Sequence, residues 1–343
     1  MSQATINDVA HEAGVSIKTV SRVVNNEPNV REKTKEKVMH AIERLHYQPN
    51  QSARSLAANR SFLVGLLYAN PAPSYIISAQ TGALEACRKD NFGLLIHPCD
   101  NNDENLADEI ERLVRKSRLD GLILTPPLTD NLALLDRLQR HNIDYVSVGA
   151  KDEMSHGQCI PSVLCDDEHA AATMTEHLLG MGHKNIGFIT GHPEHNASEK
   201  RLDGYRSALS QHGVNYQPHL VTQGLFDFDS GKSSAEYLLD QSPRPTAIFA
   251  SNDYMASGVL VVAHNRGIKI PDELSVVGFD DVPIAAQSWP ALTTIRQPSQ
   301  QMVALAAEFL IAKVSGKAAA DQPQAFKCEL ISRDSCAPPE RQP

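Results

Sequence analysis

A chain of 343 residues, 41% hydrophobic and 21% charged, has ordinary globular composition and enough apolar material for more than one core. A net charge of -9 excludes a protein that coats nucleic acid over its whole surface. No apolar run reaches the roughly 18 residues needed to span a bilayer, and the start MSQATINDVAHEAG lacks the regions of a secretory leader. The expectation is therefore a soluble cytoplasmic protein, nucleoid-associated if it binds DNA. Its six cysteines, none in C-x2-C spacing, read as reduced thiols rather than zinc ligands.

Charge is unevenly spread. Residues 1–61 hold nine basic and six acidic side chains, a net +3, so the rest of the chain carries -12. A basic head on an acidic body is the footprint of a local DNA contact.

At the N-terminus, Thr5 with Asp8 three positions on makes a capping box in which Asp replaces Glu. Ile6, Val9, Ala10 and Ala13 then recur at helical spacing, and Gly14 ends that helix. Ser16 can cap a second helix with Val20 and Val23/Val24 inward. A third is expected from about Arg31 to Leu45, with Val38, Ile42 and Leu45 inward. Helix, glycine turn, helix and supporting helix form a helix-turn-helix unit, whose second helix enters the major groove N-terminus first. Ile17, Lys18 and Arg22 then reach base edges: the cations suit guanine acceptors, the isoleucine a thymine methyl. Ser16, Thr19, Ser21 and Asn25 suit phosphate oxygens. From this motif alone, an ordinary solvated helix face explains the pattern equally well.

Tyr47 and Pro49-Asn50 close the head, and Asn50 can cap a short helix over Gln51–Ala58. That is too little helix to be stable alone. A plain flexible linker is the other reading.

The stretches TINDVAHEAGVSIKTVSRVVNN and REKTKEKVMHAIERLHYQPNQSARSLA resemble the lactose/galactose repressor (LacI/GalR) family of bacterial transcription regulators nearly position by position. Arg31 departs from the family, which has a small capping residue before the third helix. The resemblance implies a hinge helix that orders against its dimer mate in the minor groove, with Leu56 as an apolar wedge between base steps. It also implies DNA backbone contacts from Thr5, Thr34, Tyr47, Asn50 and Arg54. The expected boundaries are a DNA-binding domain over 1–46, a hinge over 47–60 and an effector domain over 61–343.

Beyond Ser61, short apolar runs alternate with amphipathic segments. The expected strands are Phe62–Tyr68, Leu94–His97, Gly121–Thr125, Tyr145–Val148, Val163–Cys165, Asn185–Thr190, Ala247–Ala250 and Ser275–Phe279. Helices such as Gln80–Asp90, Glu104–Lys116 and Ala170–Met181 lie between them. Buried strands alternating with helices mean parallel α/β sheets, which bind ligands beyond the carboxyl ends of their strands. Two sheets are expected. One lobe is placed at about 62–161 and 291–325, the other at about 162–290 and 326–343. This resembles the type I periplasmic-binding-protein architecture that the repressor family shares, with a ligand between two lobes.

Strand ends together with that resemblance select the cleft residues. Arg201 follows the Ile186–Thr190 strand, and its guanidinium can fork onto vicinal hydroxyls or a carboxylate. Asn252 follows Ala247–Ala250, and Asp280 follows the Ser275–Phe279 strand; both can accept from sugar hydroxyls. Phe226 matches the family position where an aromatic face stacks on the ligand. Tyr75, Thr125 and Asp166 fall near the expected mouth. Each has a plainer alternative. Arg201 could pair with Asp203 or Glu199, Asp253 or Asp281 could cap helices, Asn252 could serve a turn and Phe226 could be lobe core.

Other motifs carry less. GKSS at 231–234 lacks the upstream glycine of a phosphate loop, since that position is Phe226. His183, His192 and His195 follow no metal-ligand spacing, and GHPEHN reads as a loop at the cleft mouth. No G-x-S-x-G elbow or G-x-G-x-x-G fingerprint occurs. The sequence thus predicts a DNA-binding repressor rather than an enzyme, with no cofactor or metal. The expected effector is a sugar acting as inducer, with a purine base or nucleoside as the alternative. The tail SCAPPERQP lacks leucine heptads, so a homodimer on a near-palindromic operator is expected rather than a tetramer.

Overall fold

In the computed structural model, residues 4–24, 30–47, 60–70, 72–149, 154–155, 158–159, 162–317 and 324–339 are described. The chain divides into two units, Met1–Ser61 and Phe62–Pro343.

The first unit is built from α1 (Ile6–Ala13), α2 (Ile17–Val24) and α3 (Glu32–Arg44). Thr5 caps α1 with the reciprocal bonds of a capping box: its hydroxyl accepts from the Asp8 amide, and the Asp8 carboxylate accepts from the Thr5 amide. Gly14 ends α1 at φ 66°, ψ 38°, the left-handed conformation that a Cβ disfavours. Val9, Val20 and Val38, one from each helix, meet in a core with no exposed surface. Arg31 stands at the cap of α3 in extended conformation with no side-chain bond to the helix, as its chemistry requires.

The second unit opens with β1 (Leu63–Tyr68), α4 (Pro73–Lys89), β2 (Gly93–Pro98), α5 (Leu106–Ser117), β3 (Gly121–Leu124), α6 (Leu132–Arg140) and β4 (Tyr145–Val148). A two-residue pair, β5 (Met154–Ser155) and β6 (Gln158–Cys159), precedes β7 (Ser162–Cys165). Next come α7 (Asp167–Gly180), β8 (Ile186–Ile189), α8 (Asn196–Gln211), β9 (Val221–Thr222), α9 (Phe228–Leu239), β10 (Ala247–Ala250), α10 (Asp253–Asn265), β11 (Ser275–Val277) and α11 (Pro283–Gln287). The chain ends with β12 (Thr294–Arg296), α12 (Ser299–Val314), β13 (Gln324–Phe326) and β14 (Glu329–Ile331).

Two parallel sheets result. The first has the order β13-β7-β4-β3-β1-β2, the second β11-β10-β8-β9. Both faces of each sheet are covered, giving four apolar cores, as strands that are apolar on both sides demand. Helices α4 and α12 cover one face of the first sheet, with Ala79, Ala83 and Ala86 against Met302, Ala306 and Leu310.

The lobe boundaries differ from expectation at two places. Val163–Cys165 joins the first sheet, pairing with β4 and β13, instead of opening the second. The return to the first lobe comes after Arg296 rather than at 291: β12 pairs with β14 and bridges back to Val277 and Asp280 of the second lobe. Apolar patterning marks a strand, but which free sheet edge takes it depends on where the preceding helices leave the chain. Among the described residues, three connections therefore join the lobes, at 165–167, 296–299 and 326–329.

Candidate functional site

In the head, α2 presents Ile17, Lys18 and Arg22 on its exposed face while Val20 and Val23 turn inward. Ile17 is 50% exposed. Ser16 accepts from the Thr19 amide at 3.2 Å, and the two hydroxyls bond at 2.9 Å. Ser21 and Thr34 are half-buried. The Thr5 hydroxyl donates to Asp8 at 2.7 Å. Tyr47 packs into the head core, where burial pushes its phenol up. Asn25, Asn50, Arg54 and Leu56 lie outside the described residues.

In the body, the cleft between the lobes holds a cavity of about 60 Å³ lined by Tyr75, Arg201, Phe226, Asn252 and Asp280 among others, five of the seven residues expected there. Strand ends bring them together. Asp280 lies beyond β11, Asn252 beyond β10, and Arg201 on α8, the helix that follows β8. Arg201 is 4% exposed, and its Nε donates to Asp167 at 2.8 Å. Its Nη1 donates to the Ser251 carbonyl at 2.5 Å and stands 3.7 Å from Asp280. The guanidinium lies 3.6 Å from the centroid of the Phe279 ring. Burial opposes its charge, yet Asp167 and Asp280 outweigh that and raise its pKa. Its ion pairs are with Asp167 and Asp280, while Asp203 pairs with Arg206.

Asp280 is strained as well as half-buried, at φ 100°. Burial pushes its carboxyl up to about 7, against the pull of Arg201 and with a further push from Asp167. Burial, Asp280 and Asp167 likewise push the Tyr75 phenol up, so it is a donor throughout the neutral range. Phe226, 6% exposed at φ 64°, stands edge-on to His195 at 5.3 Å between centroids. Position 191 must be glycine: a Cβ there would fall 1.9 Å from the Phe226 ring. Burial, His192 and Arg201 depress His195 to about 3, so it is a neutral ring.

Two expected residues are not in the wall. Thr125 is fully buried, its hydroxyl donating to the Leu67 carbonyl at 3.0 Å. Asp166 is exposed and caps α7, accepting from the His169 amide at 3.1 Å. Its neighbour Asp167, in the first turn of that helix, turns into the cleft instead. The Asp-Asp pair after a strand was the available signal, but helix phase decides which one faces the ligand. Asn252 lines the cleft and also caps α10, its Oδ1 accepting from the Met255 amide and its Nδ2 donating to the Phe226 carbonyl. Asp253 is therefore no cap. It is fully buried, accepts from Thr294 and the Val282 amide, and burial pushes it well above the usual carboxylate range. Asp281 pairs with Arg296 and Arg333 rather than capping α11.

His195 lines the cleft from GHPEHN, as a loop at its mouth would. His183 lies away from it, bonded to Thr246 and the Ala337 carbonyl. Among the described residues no cluster of three metal-ligating side chains occurs. Across the cleft Ser74 and Tyr254 share a hydrogen bond of 2.7 Å, and Asn101 donates to Glu194 at 3.1 Å. Both are side-chain contacts that a lobe rotation can make or break.

Residues 5–50 match the family model described as bacterial regulatory proteins, lacI family, and residues 175–336 match a periplasmic binding protein-like domain. Catabolite control protein A of Priestia megaterium is 33% identical over 308 residues, which cover 89% of this chain and 91% of that protein. Among solved structures, the Lac repressor dimer bound to operator and the anti-inducer ONPF aligns with TM-score 0.75 and 28% identity, over 98% of this chain and 100% of that one. A complex of the transcriptional regulator CelR with cellobiose aligns with TM-score 0.73 and 28% identity, over 97% and 99%.

Proposed function

The chain belongs to the lacI family of bacterial regulatory proteins, and from that premise we propose that it is a repressor released from a near-palindromic operator by a neutral, hydroxyl-rich effector. The observation that carries the effector reading is Arg201 braced between Asp167 and Asp280 beside the Phe226 face. Two carboxylates against one guanidinium leave the wall without net positive charge. An anionic ligand has no free cation to meet there, whereas a polyol finds acceptors, donors and an apolar ring face. Solved relatives bound to cellobiose or to operator DNA support the same reading.

In the head, Ile17, Lys18 and Arg22 would read bases, with Leu56 as wedge. Thr5, Ser16, Thr19, Ser21, Asn25, Thr34, Tyr47, Asn50 and Arg54 would position the backbone. Effector closure of the lobes would act through residues 47–60, and it can shift operator binding only by its differential affinity for the two states. The second copy would cover exposed apolar side chains of both lobes: Ile77 and Leu84 on α4, Phe228 and Tyr237 on α9, Val261 on α10.

Selection from a random duplex pool, followed by a mobility-shift assay with a carbohydrate and purine panel, tests this. The expected result is a two-half-site consensus released by one neutral sugar. Failure of selection, or release by purines or sugar acids alone, overturns it.

A further inference from the structure

We propose that Cys165 and Cys328 are a reversible oxidation site whose disulfide ties the two lobes together beside the cleft. Their sulfur atoms lie 2.6 Å apart although 163 residues separate them in the chain. Cys165 ends β7 and packs on the core of the first lobe, whereas Cys328 lies between β13 and β14 and packs on a core of the second. Because β13 runs parallel to β7 with Phe326 opposite Cys165, the chain leaving β13 brings Cys328 past the end of β7. The pair thus joins the connections at 165–167 and 326–329, and Cys165 also faces the cleft. The effector reading assigns the pair no task, and the inference does not rest on that reading.

The chemistry requires an oxidant of the peroxide class. Cys328, its proton lost to solvent, attacks one peroxide oxygen as thiolate; the O–O bond breaks, and the hydroxide that leaves takes a proton back from solvent to become water. The resulting sulfenic acid is attacked by the Cys165 sulfur. The S–O bond breaks, the S–S bond forms, and the departing hydroxide takes the Cys165 proton as a second water. Each sulfur loses one electron, and the peroxide gains two. The steps balance equally if the two sulfurs exchange roles, since either can donate in the hydrogen bond between them. A dithiol reductant reverses the bond. Rotation of one lobe on the other needs the connecting strands to shift independently, and a covalent bond between two of them opposes it.

The test uses the full chain treated with hydrogen peroxide, denatured, and titrated for thiols. The six thiols of the reduced protein should fall by two and return with dithiothreitol, and mass spectrometry should find the 165 and 328 peptides joined. Cys328→Ser should lose no pair of thiols under the same treatment. Amide exchange in segments 165–167, 296–299 and 326–329 should slow by about tenfold on oxidation of the wild type and not of the variant. Six thiols surviving peroxide, a bridge between another pair, or unchanged exchange once the bridge has formed would each overturn the proposal.

Discussion

Asp280 shows how far one side chain can be moved by its surroundings. Its carboxyl stands at about 7 against an ordinary 3.8, so the folded protein holds a proton that the unfolded chain releases. Stability from this group is present below the lower value and is lost as pH rises through the higher one. Asp280→Asn should therefore melt above wild type at pH 8, with the gap closing toward pH 4; a gap constant with pH would sink the assignment. Effector affinity should rise through neutrality in the wild type, as the carboxylate becomes a pure acceptor, and lie flatter in the variant. Arg201 carries a second expectation. Removing it as Arg201→Ala leaves the half-buried Asp167 and Asp280 without their cation, at a cost of about 3 kcal/mol in urea unfolding. Adding Asp167→Asn should recover part of that loss, and no recovery would mean that Arg201 is held by packing alone.

At the scale of elements, the head is where local chemistry and observed structure agree most closely. The Thr5–Asp8 box, Gly14 and the valine spacing each act within a few residues, so the sequence alone places α1 and α2. Arg31 is the exception that can be repaired. It occupies a cap position without capping, and Arg31→Ser should stabilise the head by ~1 kcal/mol, read as a higher melting temperature of that unit. A fall would mean that Arg31 makes a stabilising contact of its own. In the body, the expected Gln80–Asp90 helix begins earlier, at Pro73, whose fixed φ suits the first turn. In that first half Tyr75, Ile76 and Ile77 stand side by side instead of at helical spacing, which hides its periodicity. Helix phase likewise separates Asp166 from Asp167, and it turns on where α7 starts, a boundary that the Asp-Asp-Glu run leaves open.

At the scale of the molecule, the exposed apolar side chains on α4, α9 and α10 should be the dimer surface. Phe228→Asp should yield a monomer in sedimentation equilibrium and lower operator affinity by more than tenfold, since half-sites are then bound singly. A dimer of undiminished affinity would remove this face from consideration. Leu56→Ala should weaken specific binding far more than non-specific binding at fixed salt. Equal losses would count against a wedge.

The sequence by itself determined the helix-turn-helix head, the two-lobed α/β body and five residues that line the cleft, because motif spacing, caps and strand ends are local features. Only the tertiary structure decided which sheet takes β7, where the chain recrosses after Arg296, that Asp167 rather than Asp166 braces Arg201, that Thr125 is core, and that Cys165 meets Cys328. Those facts depend on distant segments arriving at the same place, and no periodicity within one segment encodes where its partner will be.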